Sequence, residues 1–115
     1  MRQAIVTMLN AVDNSVNKTS AAEDTNQAVS ASFQVVMADT TAAGTVKVQA
    51  SNDRLYNNAA PSNWSDIPNA SATVTAGVAS MILIPVMCFK YVRVVWTNTT
   101  PGTSTITVNM NYLSV

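Results

Sequence analysis

The sequence predicts an all-β protein, an antiparallel sandwich of about eight short strands; a jelly-roll-like arrangement is the choice made among the sandwich topologies that fit this pattern. Three observations carry this. Apolar residues recur with a period of two nearly everywhere, and no window holds a helical stripe. The alternating runs are short and are separated by Gly, Pro, Asn and Ser clusters. The chain has 115 residues, room for one domain, with 48% hydrophobic and 10% charged residues. Ordinary soluble domains are about 25% charged.

Taken in order, Arg2–Leu9 alternates weakly, with Ala4, Val6 and Met8 on one face and Ile5, Thr7 and Leu9 on the other. Both faces are partly apolar, which suits a strand covered on both sides. Residues 13–27, DNSVNKTSAAEDTNQ, read as a polar connector. A strand follows at Ala28–Met37, with Phe33, Val35 and Met37 on one face. ADTTAAG then reads as a turn in which Gly44 is free to adopt a positive φ.

Thr45–Ala50 places Val46 and Val48 inward and Lys47 and Gln49 outward. SNDRLYNNAAPSN is a long Asn-rich loop, and a short strand at Trp64–Ile67 closes at Pro68. ATVTA and VASMILI bracket Gly77, and Pro85 ends the second. Phe89–Thr97 and Thr103–Leu113 read as a final hairpin about a Thr-Pro-Gly turn. Val92, Val94 and Trp96 share one face of its first arm, and Ile106, Val108, Met110 and Tyr112 one face of its second. The organisation is a sandwich over residues 28–115, preceded by an N-terminal strand or arm and connector at 1–27. Two readings stand for the N-terminal strand. It is the first strand of its own sandwich, or an arm adding a strand to another subunit's sheet edge.

The search for chemistry returns little. The chain has no His, which removes the commonest acid–base group and metal ligand. Asp53 and Asp66 flank one loop as a paired-carboxylate hydrolase would require, but Asp favours such turn and strand-end positions by bonding local backbone. Asp13, Ser15, Asn17 and Asp24 mimic the oxygen spacing of a calcium loop. Lys18 stands where that loop needs glycine, and Asp24 where it needs a bidentate glutamate. No metal or cofactor is expected. Single Cys88 lies in the apolar run IPVMCFKYV and reads as a small buried hydrophobe.

Six scattered basic residues balance six acidic ones, for a formal net charge of +0. That argues against nucleic-acid binding, which needs a basic stripe. The N-terminus lacks a continuous apolar core and a small-residue cleavage site, so neither a signal peptide nor a membrane helix is expected. Trp96 shares a face with Val92 and Val94 and reads as core. Trp64, beside a long loop, is either core or part of a sugar-stacking surface with Tyr56, Asn57, Asn58 and Asn63.

The blocks VKVQASND, NWSDI and KYVRVVWT, in that order, resemble small β-sandwich structural proteins of tailed bacteriophages, of the head-decoration, fibre or adaptor type. The resemblance covers about the C-terminal three-quarters of the chain and leaves residues 1–27 outside. It implies a virion subunit without enzymatic activity, made in the host cytoplasm. Its partners would be copies of itself, with a trimer as the first expectation, and other virion proteins such as the major capsid protein. Ile5, Leu9, Val36, Val95, Leu113 and Val115 would then be interface positions. The alternative is a carbohydrate-binding or adhesive module using Trp64, Tyr56 and the neighbouring Asn residues.

Overall fold

A computed structural model describes residues 2–25, 28–38, 42–55, 59–75 and 77–114. Nine strands carry the chain: β1 (Arg2–Asp13), β2 (Lys18–Thr19), β3 (Glu23–Asp24), β4 (Ala28–Met37), β5 (Ala43–Ser51), β6 (Ser65–Thr75), β7 (Ser80–Ile84), β8 (Tyr91–Thr100) and β9 (Thr105–Ser114). They form two antiparallel sheets. The first has the order β1-β9-β4-β7; the second has the order β2-β8-β5-β6, with β3 also on β8.

β2 and β3 behave as one interrupted strand. Between them the Ser20 N–H donates to the Val94 carbonyl at 2.9 Å, and the Val94 N–H donates to Ser20 Oγ at 2.8 Å. With these two merged, every link but β5–β6 passes from one sheet to the other. That is the jelly roll. The polar connector is therefore stitched along the edge of β8, and residues 2–13 form the edge strand of this same sandwich.

Of the two rows predicted for the last strands, Val92, Val94, Trp96, Ile106 and Val108 are fully buried and Met110 nearly so, while Tyr112 is half-buried against the core. They do not form a hairpin. β8 lies in the second sheet and β9 in the first, so the Thr-Pro-Gly turn carries the chain across the sandwich. Each strand has one apolar row, and across the sandwich those rows face each other. Alternation is the same for a hairpin and for a crossover.

Two irregularities change which residues point inward. In β1 the register slips between Thr7 and Leu9, so Met8 and Leu9 together oppose one step of β9. The extra residue turns Leu9 into the core at 4% exposure, away from the face of Ile5 and Thr7. In β6, Pro68 does not end the strand as its sequence predicted. Residues 67–70 loop out between the Asp66–Gln49 and Ser71–Lys47 pairs, and Asn69 takes a φ of 62°. β6 is a sheet edge, so the missing proline N–H costs no ladder bond.

Asn14 pins one end of the sandwich. It is fully buried, its Nδ2 donates to Met37 Sδ at 3.0 Å, and its Oδ1 accepts from the Ser104 N–H at 3.3 Å.

Candidate interaction surfaces

The outer face of the first sheet is built from the side chains that alternation turns away from the core. Register aligns them in rows: Ile5, Asn111, Ser32 and Leu83 in one, Thr7, Asn109, Gln34 and Met81 in the next. β4, β7 and β9 carry no charged residue at all. The middle of the face is amide and hydroxyl, and its two margins are apolar. Ile5 is 73% exposed on one margin, and Leu83 and Met81 are 67% and 55% exposed on the other. A shallow hollow of about 260 Å³ lies between Ile5 and Met81 over Gln34 and Asn109. Asn111 Oδ1 is buried in this face without a hydrogen-bond partner, an acceptor that an incoming donor would satisfy.

The predicted interface positions separate here. Ile5 and Val36 are exposed, and Val95 and Leu113 are half-buried. Leu9 is corrected to core by the β1 bulge, and Val115 lies outside the described residues. Met81, Leu83 and Val86 are exposed apolar side chains that sequence reasoning missed. In SMILI both alternating sets are apolar, so the pattern did not say that Ile82 and Ile84 point inward. The only available signal was the four-residue apolar run itself.

On the outer face of the second sheet one network runs across three strands. The Arg93 guanidinium lies 4.4 Å from the centre of the Trp64 ring, and its Nε donates to Gln49 Oε1 at 2.8 Å. Gln49 Nε2 donates to Asp66 Oδ1 at 2.9 Å, and Lys47 Nζ lies 3.2 Å from the same carboxylate. The hydrogen bond from Gln49, then that from Lys47, holds the Asp66 carboxyl below its ordinary range. Trp64 is half-buried and its Nε1 donates to the Pro61 carbonyl at 3.2 Å. Asn63 is exposed next to it; Tyr56, Asn57 and Asn58 lie outside the described residues.

Asp53 organises the loop before Trp64. Its carboxylate accepts from the N–H groups of Asn63 and Ser62 at 2.9 and 2.7 Å and from Asn63 Nδ2 at 3.0 Å. Those bonds hold its carboxyl low. Asp53 and Asp66 do line one open hollow of about 370 Å³, with Ile67 and Phe89. A glycosidase pair needs one carboxyl raised enough to donate a proton, whereas accepted hydrogen bonds shift both of these downward.

The calcium-like loop is spent internally: Asp13 Oδ1 accepts from the N–H and the hydroxyl of Ser15, and Asp24 pairs with Lys90 at 2.9 Å. Among the described residues no group of three His, Cys, Asp or Glu side chains converges. Cys88 is exposed, against the sequence expectation. Pro85 breaks the alternation before it, and Met87 takes the inward place, its N–H bonded to the Val29 carbonyl at 2.9 Å.

No protein-family model and no curated protein matches the sequence. Solved structures do. The chain is similar to the PBSX exported protein XepA, with a TM-score of 0.68 and 19% identity over 97% of this chain, which spans only 37% of XepA. It is similar to the SPBc2 prophage-derived protein YomS, with a TM-score of 0.61 and 10% identity over 98% of this chain and 94% of that one. It is also similar to PirA, with a TM-score of 0.52 and 17% identity over 96% of this chain and 93% of that one. At these identities the likeness concerns the fold. The jelly-roll-like sandwich expected from the sequence is thus a fold shared with these three proteins, one of them, YomS, prophage-derived.

Proposed function

We propose that this chain is a structural subunit of a bacteriophage virion without enzymatic activity. It assembles as a homo-oligomer that decorates or cements the head, or builds a head-fibre or tail attachment. The observation that carries the reading is the outer face of β1-β9-β4-β7. Three of its strands bear no charge, its margins expose Ile5, Met81 and Leu83, and it holds an unpartnered Asn111 acceptor. Contiguous uncharged faces with apolar margins are surfaces that subunits cover. The zero net charge adds no long-range repulsion between copies. The fold shared with XepA and YomS supports the phage assignment, and the major capsid protein and further copies of the chain are the expected partners.

The test is quantitative mass spectrometry of gradient-purified particles from the host that encodes the chain. Copy numbers matching a particle symmetry support the reading. A chain abundant in the infected cell but missing from the particles refutes it.

A carbohydrate-binding reading rests on Trp64, half-exposed beside Asn63, whose N–H and side-chain amide both donate to Asp53. Arg93 occupies one face of the ring. A glycan-array signal abolished by Trp64→Ala, with the circular dichroism spectrum unchanged, would establish that reading in place of a purely structural role.

A further inference from the structure

A sandwich has four sheet edges, and each unpaired edge offers backbone donors and acceptors to another chain. Three are blunted here. The β8 edge is covered by β2 and β3, which are two residues each, interrupted and polar. The β6 edge is broken by Pro68 and the left-handed Asn69. β7 is only five residues long and ends at Ile84, directly before Pro85.

The fourth edge is different. β1 is twelve residues long and, among the described residues, pairs with β9 alone. Its second half is bulged twice and twisted, with Ala11 at a φ of 48°. Its first half, Arg2–Thr7, is unbroken in register with Ser114–Asn109. Between Arg2 and Asp13 the strand has no charged residue. Natural edges are normally protected by a charge, a proline or a bulge, and Gln3–Thr7 has none of these.

We propose that the first half of β1 pairs antiparallel with β1 of a second copy of this chain about a two-fold axis, joining two sheets into one. The proposal deepens the assembly part of the reading above by naming its contact. Directly opposed residues of an antiparallel pair turn their backbone groups the same way and their side chains to the same face. A strand paired with itself therefore opposes residues of equal parity, and one residue sits on the axis. On the outer face the run is Gln3, Ile5, Thr7, all exposed. Ile5 is central, so it meets Ile5 of the second copy while Gln3 meets Thr7. The single charge of the run, Arg2, falls opposite Met8, and no like charges are brought together. The two-fold contact closes on itself, whereas β1 pairing with β7 of another copy would run head to tail. It also covers the most exposed large apolar side chain of the described residues, Ile5 at 73%.

Two measurements on the full chain test this. In sedimentation velocity at high micromolar concentration the protein runs as a dimer or a multiple of one. Ile5→Lys, which sets two cations face to face on the axis, reduces it to monomer with an unchanged circular dichroism spectrum, while Met81→Lys on the far margin leaves the dimer intact. In a Cys88→Ser background, Ile5→Cys places two Cα atoms about 4.5–5.5 Å apart, within disulfide reach, so it cross-links at least about tenfold faster than Met81→Cys. A monomeric wild-type protein, a dimer that survives Ile5→Lys, open polymers, or equal cross-linking at positions 5 and 81 would overturn the proposal. A monomer found in particles refutes this contact and leaves the virion reading standing. A β1-paired dimer missing from particles does the reverse.

Discussion

Gly44 and Trp96 occupy one volume. Gly44 is buried within β5, and a Cβ built on it would fall 2.7 Å from Trp96 Cζ3, closer to Cη2, and closer still to the Thr97 carbonyl oxygen. The glycine is there for close approach and not for a turn, since Gly77 is the glycine with positive φ among the described residues. Its absent side chain is what makes room for the Cζ3–Cη2 edge of the largest core residue, fully buried Trp96.

Gly44→Ala therefore overpacks the core and lowers the unfolding free energy by about 1–3 kcal/mol, the usual cost of an inserted methylene. Denaturant unfolding followed by tryptophan emission measures it. Trp96→Phe removes Cζ3 and Cη2 together with an indole N–H that has no hydrogen-bond partner. The double variant recovers part of the Gly44→Ala loss, but not all, because the Thr97 carbonyl remains. Additive losses would show that the two residues do not compete for space.

Asn14→Ala leaves the partly buried Ser104 N–H without its side-chain acceptor and opens a gap beside Met37. The expected loss is about 1–3 kcal/mol, from the lost hydrogen bond together with the gap left by a fully buried side chain. Hydrogen exchange at Ser104 and Thr105 should speed up more than exchange in the centre of β4. Uniform acceleration across the chain would contradict a local pin.

Acid sensitivity follows from Asp53, Asp66 and Asp13, all held below the ordinary carboxylate value by accepted hydrogen bonds. For each, the unfolded chain takes up the proton more readily than the folded one. Their stabilising contribution is complete above the unfolded pKa, near 3.8, and is lost as pH falls through the folded values. The melting temperature should hold steady from neutrality to about pH 5 and drop below about pH 4. Asp53→Asn should melt lower at neutral pH, with its curve converging on wild type in acid. A constant gap at every pH would remove Asp53 from the explanation.

The Trp64–Arg93 contact is half-buried and should be worth about 0.5–2 kcal/mol in a double-mutant cycle. Salt at high concentration weakens it only slightly compared with the Lys47–Asp66 pair, whose two side chains are 36% and 59% exposed. A coupling energy of zero would mean that the stacked geometry does not persist in solution.

Cys88 should react fully with a thiol reagent in the native protein, at a rate close to that of a free cysteine, because its side chain is exposed. Reaction that waits for unfolding would return it to the buried place its sequence context suggested.

Period-two alternation was enough to identify the all-β class, the inward rows of β4, β5, β8 and β9, and Trp96 as core, because side-chain direction along a strand is set by local geometry. Ile5 and Val36 were legible as exposed apolar positions for the same reason. Strand partners were not, since alternation is identical whether β9 returns beside β8 or crosses to the other sheet. Leu9 was misplaced where a bulge against β9 shifted the phase, and Cys88 where the chain leaves β7 at Pro85 and Met87 takes the inward place. The role of Gly44 needed the indole edge of Trp96 against it, and the bare edge of β1 needed the other three edges in view. Composition and period belong to the chain; register, closure and which edge stays open arise only when distant segments compete for the same hydrogen bonds and the same space.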